Sequence, residues 1–198
     1  MPELMEGPVP YSVRTLFNEE TTVEREIIEH LKAARLGWTW RSRDYLKKYR
    51  PDEREVLLLP LLREKLKALN PAVLTDDSRV EAIVTKLLAC RDNQQWLAWL
   101  KDGVNYKFDA AENAQDVRLI DYENLDANDW WVTNQFSIDG RSTRRPDIVL
   151  LINGIPVIVI EAKTASRSKP DWREGAKQLG MYAEEIDQLF YTNATAWA

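Results

Sequence analysis

The sequence predicts an α/β domain, and three observations carry that reading. Residues 22–102 hold apolar side chains at helical spacing with few interruptions. Beyond Gly103 the chain breaks into short β-branched and aromatic runs separated by turn residues. Two of those runs, Ile148 to Ile152 and Val157 to Ile160, flank Asn153-Gly154, a dipeptide suited to a two-residue hairpin turn.

In chain order, residues 1–20 carry Pro2, Gly7, Pro8 and Pro10 and read as an N-terminal arm. Thr21-Thr22-Val23-Glu24 fits a capping box, with Thr21 as cap and Glu24 reaching back. Ile27, Ile28, Leu31 and Ala34 then predict a helix over 22–36, stopped by Gly37. Ser42 to Tyr49 reads as a short helix, and Pro51-Asp52 as the start of another that Pro60 kinks or breaks. Leu61 to Leu69, Asp77 to Cys90 and Gln94 to Leu100 complete the helical half, with stops at Asn70-Pro71 and Gly103. Val104 to Phe108, Val117 to Ile120 and Trp130 to Ile138 read as strands, the last closed by Asp139-Gly140. The 148–160 hairpin is apolar at successive positions, as expected of strands buried on both faces. Pro170-Asp171 opens a helix to about Glu185, Leu189 to Thr192 reads as a final strand, and Ala194 to Ala198 carries no pattern.

Composition narrows the function classes. Eight Trp, seven Tyr and four Phe are too many for a solvated coil. Cys90 is the only cysteine and His30 the only histidine, 60 residues apart. That excludes a disulfide scaffold, leaves almost no room for a Cys/His zinc site, and restricts histidine-based catalysis to His30. No apolar run approaches the roughly 18–20 residues of a membrane span, and the N-terminus lacks the basic and apolar segments of a secretory signal, so a cytoplasmic location is expected. The net charge is −5, yet residues 141–177 hold eight Lys or Arg against four Asp or Glu. The basic side chains therefore gather where the sequence carries its most chemical motif.

That motif is Pro146-Asp147 at the start of one hairpin strand and Glu161-Ala162-Lys163 at the end of the other. A hairpin brings the two together. Carboxylates hold hard cations such as Mg²⁺, and an adjacent Lys can orient a water or stabilise developing charge. The same residues also permit a plain ion pair between Glu161 and Lys163 at a strand end. An apolar strand running directly into alternating charges nonetheless requires compensation for those charges. Gln178 and Tyr182 share one helix face at i, i+4, either supporting Lys163, touching a phosphate, or packing on the sheet. Glu24 is a third carboxylate, readable as a helix cap, a metal-site residue, or both.

Asp147, Glu161-Ala162-Lys163 and Gln178…Tyr182, in this order, resemble the PD-(D/E)xK nuclease superfamily with its Q-x-x-x-Y extension. The run Arg145 to Lys163 is similar to the N-terminal nuclease domain of the R (restriction, motor) subunit of type I restriction–modification enzymes. So are Asn70-Pro71, Leu100-Lys-Asp-Gly-Val104, Asp121-Tyr122 through Asn134-Gln-Phe136, Leu189-Phe190, and Glu24 ahead of Gly37-Trp38. The resemblance covers about residues 20–193. It implies a restriction-endonuclease-like core, a small mixed sheet flanked by helices, within a nuclease domain at 21–198 that carries a helical insertion at about 41–102. It implies Mg²⁺ held by Asp147, Glu161 and the Ala162 carbonyl, with Lys163 orienting the attacking water. Glu24, Gln178 and Tyr182 join the catalytic set, and Arg144, Arg145 and Lys169 become phosphate contacts. It further implies double-strand cleavage of DNA after ATP-driven translocation, with methylation and specificity subunits as partners. No Gly-x-x-x-x-Gly-Lys-Ser/Thr loop occurs here, so ATP hydrolysis and the motor are expected outside these residues. Two other readings stay open: a different nuclease of the superfamily, such as a stand-alone repair enzyme, and a catalytically silent DNA-binding or assembly module.

The chemistry also demands a register. A two-residue turn pairing Ile152 with Ile155 would set Asp147 opposite Ile160 and send the two carboxylates to opposite faces. A three-residue loop pairing Leu151 with Ile155, or a bulge near Asp147, is expected to correct this.

Overall fold

The computed structural model of the protein describes residues 19–162 and 172–197. The helical half contains α1 (Glu19–Ala33), α2 (Arg43–Leu46), α3 (Leu59–Leu69), α4 (Asp77–Ala89) and α5 (Asn93–Asp102), with the two-residue strand β1 (Thr39–Trp40) between α1 and α2. Then come β2 (Val104–Tyr106), β3 (Gln115–Val117), β4 (Trp130–Asn134), β5 (Ile138–Asp139), β6 (Thr143–Arg144), β7 (Ile148–Ile152) and β8 (Ile155–Ile160). The chain closes with α6 (Trp172–Glu185), α7 (Asp187–Tyr191) and β9 (Thr195–Trp197).

The central sheet has the order β1-β4-β7-β8-β9. Its three inner strands are antiparallel, while β1 joins β4 and β9 joins β8 in parallel, so the sheet is mixed. This is the α/β class and the small mixed sheet expected of a restriction-endonuclease-like core. The strands β2 and β3 pair with each other, as do β5 and β6, in two small separate ribbons. Every residue of β7 is buried, and β8 is buried or nearly so, which matches their uninterrupted apolar sequence.

Side-chain alternation assigns the helices to faces. Ile160 and Trp197 line a groove with Val23, Ile27 and Leu31, so α1 covers that face. Glu161, the next residue, points to the other face and meets Tyr182 of α6. The sheet is therefore sandwiched between α1 and α6.

Local chemistry explains the helix ends. Asp76 and Asp92 accept from the backbone N–H of Arg79 and of Gln94 and Gln95, capping α4 and α5. Gly103 ends α5 with φ 86°, and a Cβ there would stand 2.9 Å from the Val117 carbonyl.

Several sequence expectations are corrected. Residues 51–58 are not helical; Pro60 opens α3 rather than breaking a helix, because the first turn needs no proline N–H. The helix expected over Ser42 to Tyr49 shortens to the single turn of α2, capped by Ser42. Thr21 lies inside α1, which reaches back to Glu19, so no capping box forms at Thr21. The strand expected over Trp130 to Ile138 stops at Asn134, where Gln135 turns left-handed with φ 57°. Leu189 to Thr192 is not a strand but mostly α7, and the final strand is β9, within the segment that carried no pattern. Of the arm expected at 1–20, residues 1–18 lie outside the described residues, as do Lys163, Lys169 and Pro170-Asp171.

Candidate active site

The hairpin β7–β8 sets the geometry. Its turn is the two-residue one: Ile152 pairs with Ile155, and Asn153 and Gly154 both have positive φ, 53° and 83°. Leu151 pairs with Pro156, but Leu150 pairs with Ile158. Val157 is therefore one extra residue in β8, a bulge that shifts every later pair. Ile148 then opposes Ile160, so continuation of the ladder sets Asp147 opposite Glu161. The two carboxylates share a face. The correcting device is a bulge, placed near the turn and on β8. It is neither the three-residue loop nor a bulge near Asp147, and it moves the register in the opposite sense.

The turn is anchored by the 119–129 loop and by Leu58 at the start of α3. The Asn153 side chain is fully buried; its Nδ2 donates to the Leu119 carbonyl and to Asn128 Oδ1, both at 2.9 Å. Its Oδ1 accepts from the Asp129 N–H at 2.8 Å. The Gly154 carbonyl accepts from the Leu58 N–H, and a Cβ on Gly154 would stand 3.0 Å from the Leu58 carbonyl. The register of the hairpin strands is thus tied to the start of α3 and to the 119–129 loop.

At the far end of the hairpin, Asp147 Oδ2 accepts from the Ala162 N–H at 2.8 Å, closing the end of β8 over the carboxylate. The Asp147 carbonyl accepts from the Gln135 N–H at 2.9 Å, extending the β4–β7 ladder by one pair. Glu161 is 3% exposed, and its backbone N–H donates to the Trp197 carbonyl at 2.8 Å. Gln178, Tyr182 and Glu185 follow one another along one side of α6. Gln178 Nε2 donates to Tyr182 Oη at 2.6 Å, and Tyr182 Oη donates to Glu161 Oε2 at 3.3 Å. Burial, reinforced by the charges of Glu161 and Asp147 and opposed by the Gln178 hydrogen bond, pushes the Tyr182 phenol up to about 12. At neutral pH it therefore stays protonated and donates to the carboxylate.

Glu24 reaches the same end of the sheet from the α1 layer. It is 4% exposed and accepts from Gln135 Nε2 at 2.8 Å and Asn134 Nδ2 at 3.2 Å. Arg144 of β6 forms a two-pronged ion pair with Glu185 of α6, which raises the guanidinium and lowers the carboxyl from their ordinary values. Arg145 is exposed beside it.

The structure therefore brings together Asp147, Glu161, Ala162, Gln178 and Tyr182, with Glu24 joined through Gln135. Lys163 follows Ala162 directly in sequence, outside the described residues. Sequence reasoning did not name Asn134 and Gln135 as site residues. Their sequence signals are the resemblance at Asn134-Gln-Phe136 and a polar pair at the end of a largely apolar strand. Asp147 and Glu161 offer carboxylate oxygens at one sheet end, the donor type that suits a hard divalent cation.

The family described as type I restriction enzyme R protein N terminus matches residues 16–197. The type I restriction enzyme HindI endonuclease subunit of Haemophilus influenzae is 30% identical over 190 residues, covering 88% of this chain and 18% of that protein. A Methanocaldococcus jannaschii protein named for the MjaVIIIP type I restriction enzyme endonuclease subunit is 30% identical over 176 residues, covering 86% of this chain and 17% of its own length. The chain spans less than a fifth of these relatives. With nearly its whole length matched, the chain belongs to the family of type I restriction enzyme R protein N termini.

Proposed function

We propose that this domain is the Mg²⁺-dependent endonuclease of a type I restriction enzyme R subunit and hydrolyses phosphodiesters of double-stranded DNA. The observation that carries the reading is the Val157 bulge, which sets Asp147 and Glu161 opposite one another at one sheet end. Without it, the two carboxylates would face opposite layers. Asp147, Glu161 and the Ala162 carbonyl would hold Mg²⁺, which when bound supplies charge neutralisation and a more acidic water. The Ala162 N–H holds one Asp147 oxygen in place, and the Tyr182 phenol steadies Glu161 as a proton donor. Lys163 Nζ orients the attacking water and balances charge at the phosphate. Gln178 fixes the Tyr182 hydroxyl, and through it the support for the Lys163 side of the site. Arg145 and Lys169 bind phosphates without reading bases, and Arg144 joins them by exchanging Glu185 for a phosphate.

Residues 21–198 form the nuclease unit, with about 41–102 as an insertion that buttresses the hairpin turn. Translocation driven by ATP belongs to a motor region beyond these residues, and the methylation and specificity subunits supply sequence recognition in the cytoplasm. Among the described residues no helix is long and apolar enough to cross a membrane.

The test uses the assembled restriction complex. Asp147→Ala, Glu161→Ala and Lys163→Ala should each abolish plasmid cleavage while ATP hydrolysis continues. Each side chain stands at a strand end, so little core volume is lost. Cleavage at the wild-type rate by Lys163→Ala would refute the assignment.

A further inference from the structure

Glu24 and the Asp147–Glu161 pair start from different layers of the sandwich. Glu24 belongs to α1, on the face of Ile160 and Trp197, whereas Glu161 faces α6. Among the described residues, Gln135 touches both sides. Its backbone N–H holds the Asp147 carbonyl, and its Nε2 holds Glu24 Oε1. It does so with a left-handed backbone, φ 57°, unusual for a residue with a side chain and found where a structure over-determines it.

Asn134 adds a second donor to Glu24, and its orientation is dictated from outside. An indole N–H can only donate, so Trp40 Nε1, at 3.1 Å, must meet the Asn134 amide oxygen. That leaves the Asn134 amino group for the carboxylate, where it stands 3.2 Å from Glu24 Oε2. Trp40 lies on edge strand β1 and is exposed.

Resting on the nuclease reading above, we propose that Gln135 and Asn134 are positioning residues that fix the Glu24 carboxylate relative to Asp147, with Trp40 setting the Asn134 amide. Gln135 ties the two layers of the active site together, and the strained turn at the end of β4 is what lets its side chain reach Glu24.

The decisive variant is Gln135→Gly in the full-length subunit within the assembled complex. Glycine adopts the left-handed backbone freely, which offsets much of the cost of losing the hydrogen bond to Glu24. The melting temperature should fall by no more than about 2–4 °C, while the plasmid cleavage rate falls roughly 10- to 100-fold, as for other groups that hold a site residue from behind. Gln135→Asn tolerates the same backbone, keeps an amide, and should recover part of the rate. Trp40→Phe, which frees the Asn134 amide to turn, should show a smaller loss at unchanged melting temperature. Wild-type cleavage by Gln135→Gly overturns the proposal, and so does a rate loss accompanied by a matching fall in melting temperature. Asp147→Ala, run alongside, separates the two claims: normal cleavage by that variant refutes the nuclease reading itself.

Discussion

The stability of the domain in alkali should depend on one phenol. Burial raises Tyr182 from the usual 10.0 to about 12, with Glu161 and Asp147 adding to the shift and Gln178 opposing it. Between those values the folded protein keeps a proton that the unfolded chain has lost. The stabilisation is complete below about pH 10 and disappears as pH rises through about 12. Two pKa units correspond to about 2–3 kcal/mol, of which about 2 kcal/mol is lost by pH ~11.5. The assay is urea unfolding of wild type and Tyr182→Phe across pH 8 to ~11.5. Phenylalanine keeps the ring and removes only the hydroxyl. Tyr49, Tyr122 and Tyr191 are also raised, but they titrate in both proteins and cancel in the difference. The stability gap between wild type and variant should shrink by about 2 kcal/mol over that range. A gap that stays constant with pH would refute the idea that Tyr182 is a buried, protonated donor to Glu161.

Two further predictions concern the hairpin. Inserting one valine after Val157, with the one-residue bulge kept, sets Asp147 opposite Ile160 and should abolish cleavage; deleting Val157 removes the bulge but leaves Asp147 opposite Glu161 and should retain it, as plasmid assays with both variants would show. Asn153→Ala removes three buried hydrogen bonds and puts alanine at φ 53°, which should cost about 3–4 kcal/mol in chemical denaturation, with Asn153→Gly about 1 kcal/mol milder.

The candidate site residues were legible because their types and spacing follow from the roles proposed for them. Asp147, Glu161 and Tyr182 stand at element ends marked by Pro146, by the close of an apolar run, and by a helical i, i+4 step from Gln178. Asn153-Gly154 announced its turn because few residues accept positive φ twice in succession. What was hidden was set by tertiary pairing. Val157 is a valine among valines and isoleucines, and nothing in its own identity says that it is the residue left out of the ladder. The short apolar run at Leu189 fits a helix turn as well as a strand, and its packing chooses the helix. Thr195 to Trp197 becomes a strand only because the edge of β8 is there to pair with. Pro60 is equally placed to end one helix or begin another, and the absence of helix before it decides.

The same division runs through the active site. The hairpin register depends on Asn153, whose partners Leu119, Asn128 and Asp129 come from a loop with no catalytic residue of its own. Glu24 depends on Asn134 and Gln135, which reach it by leaving the strand pattern that would otherwise place them. Groups that meet substrate must be of particular types, so they show in sequence. Groups that aim them need only arrive at the right place, which an amide at a strand end or a single extra valine can do, and their role exists only once the sheet has formed. Changes at those aiming positions should therefore alter rate while leaving the recognisable motif intact, the pattern expected of Gln135→Gly and of the one-residue insertion after Val157.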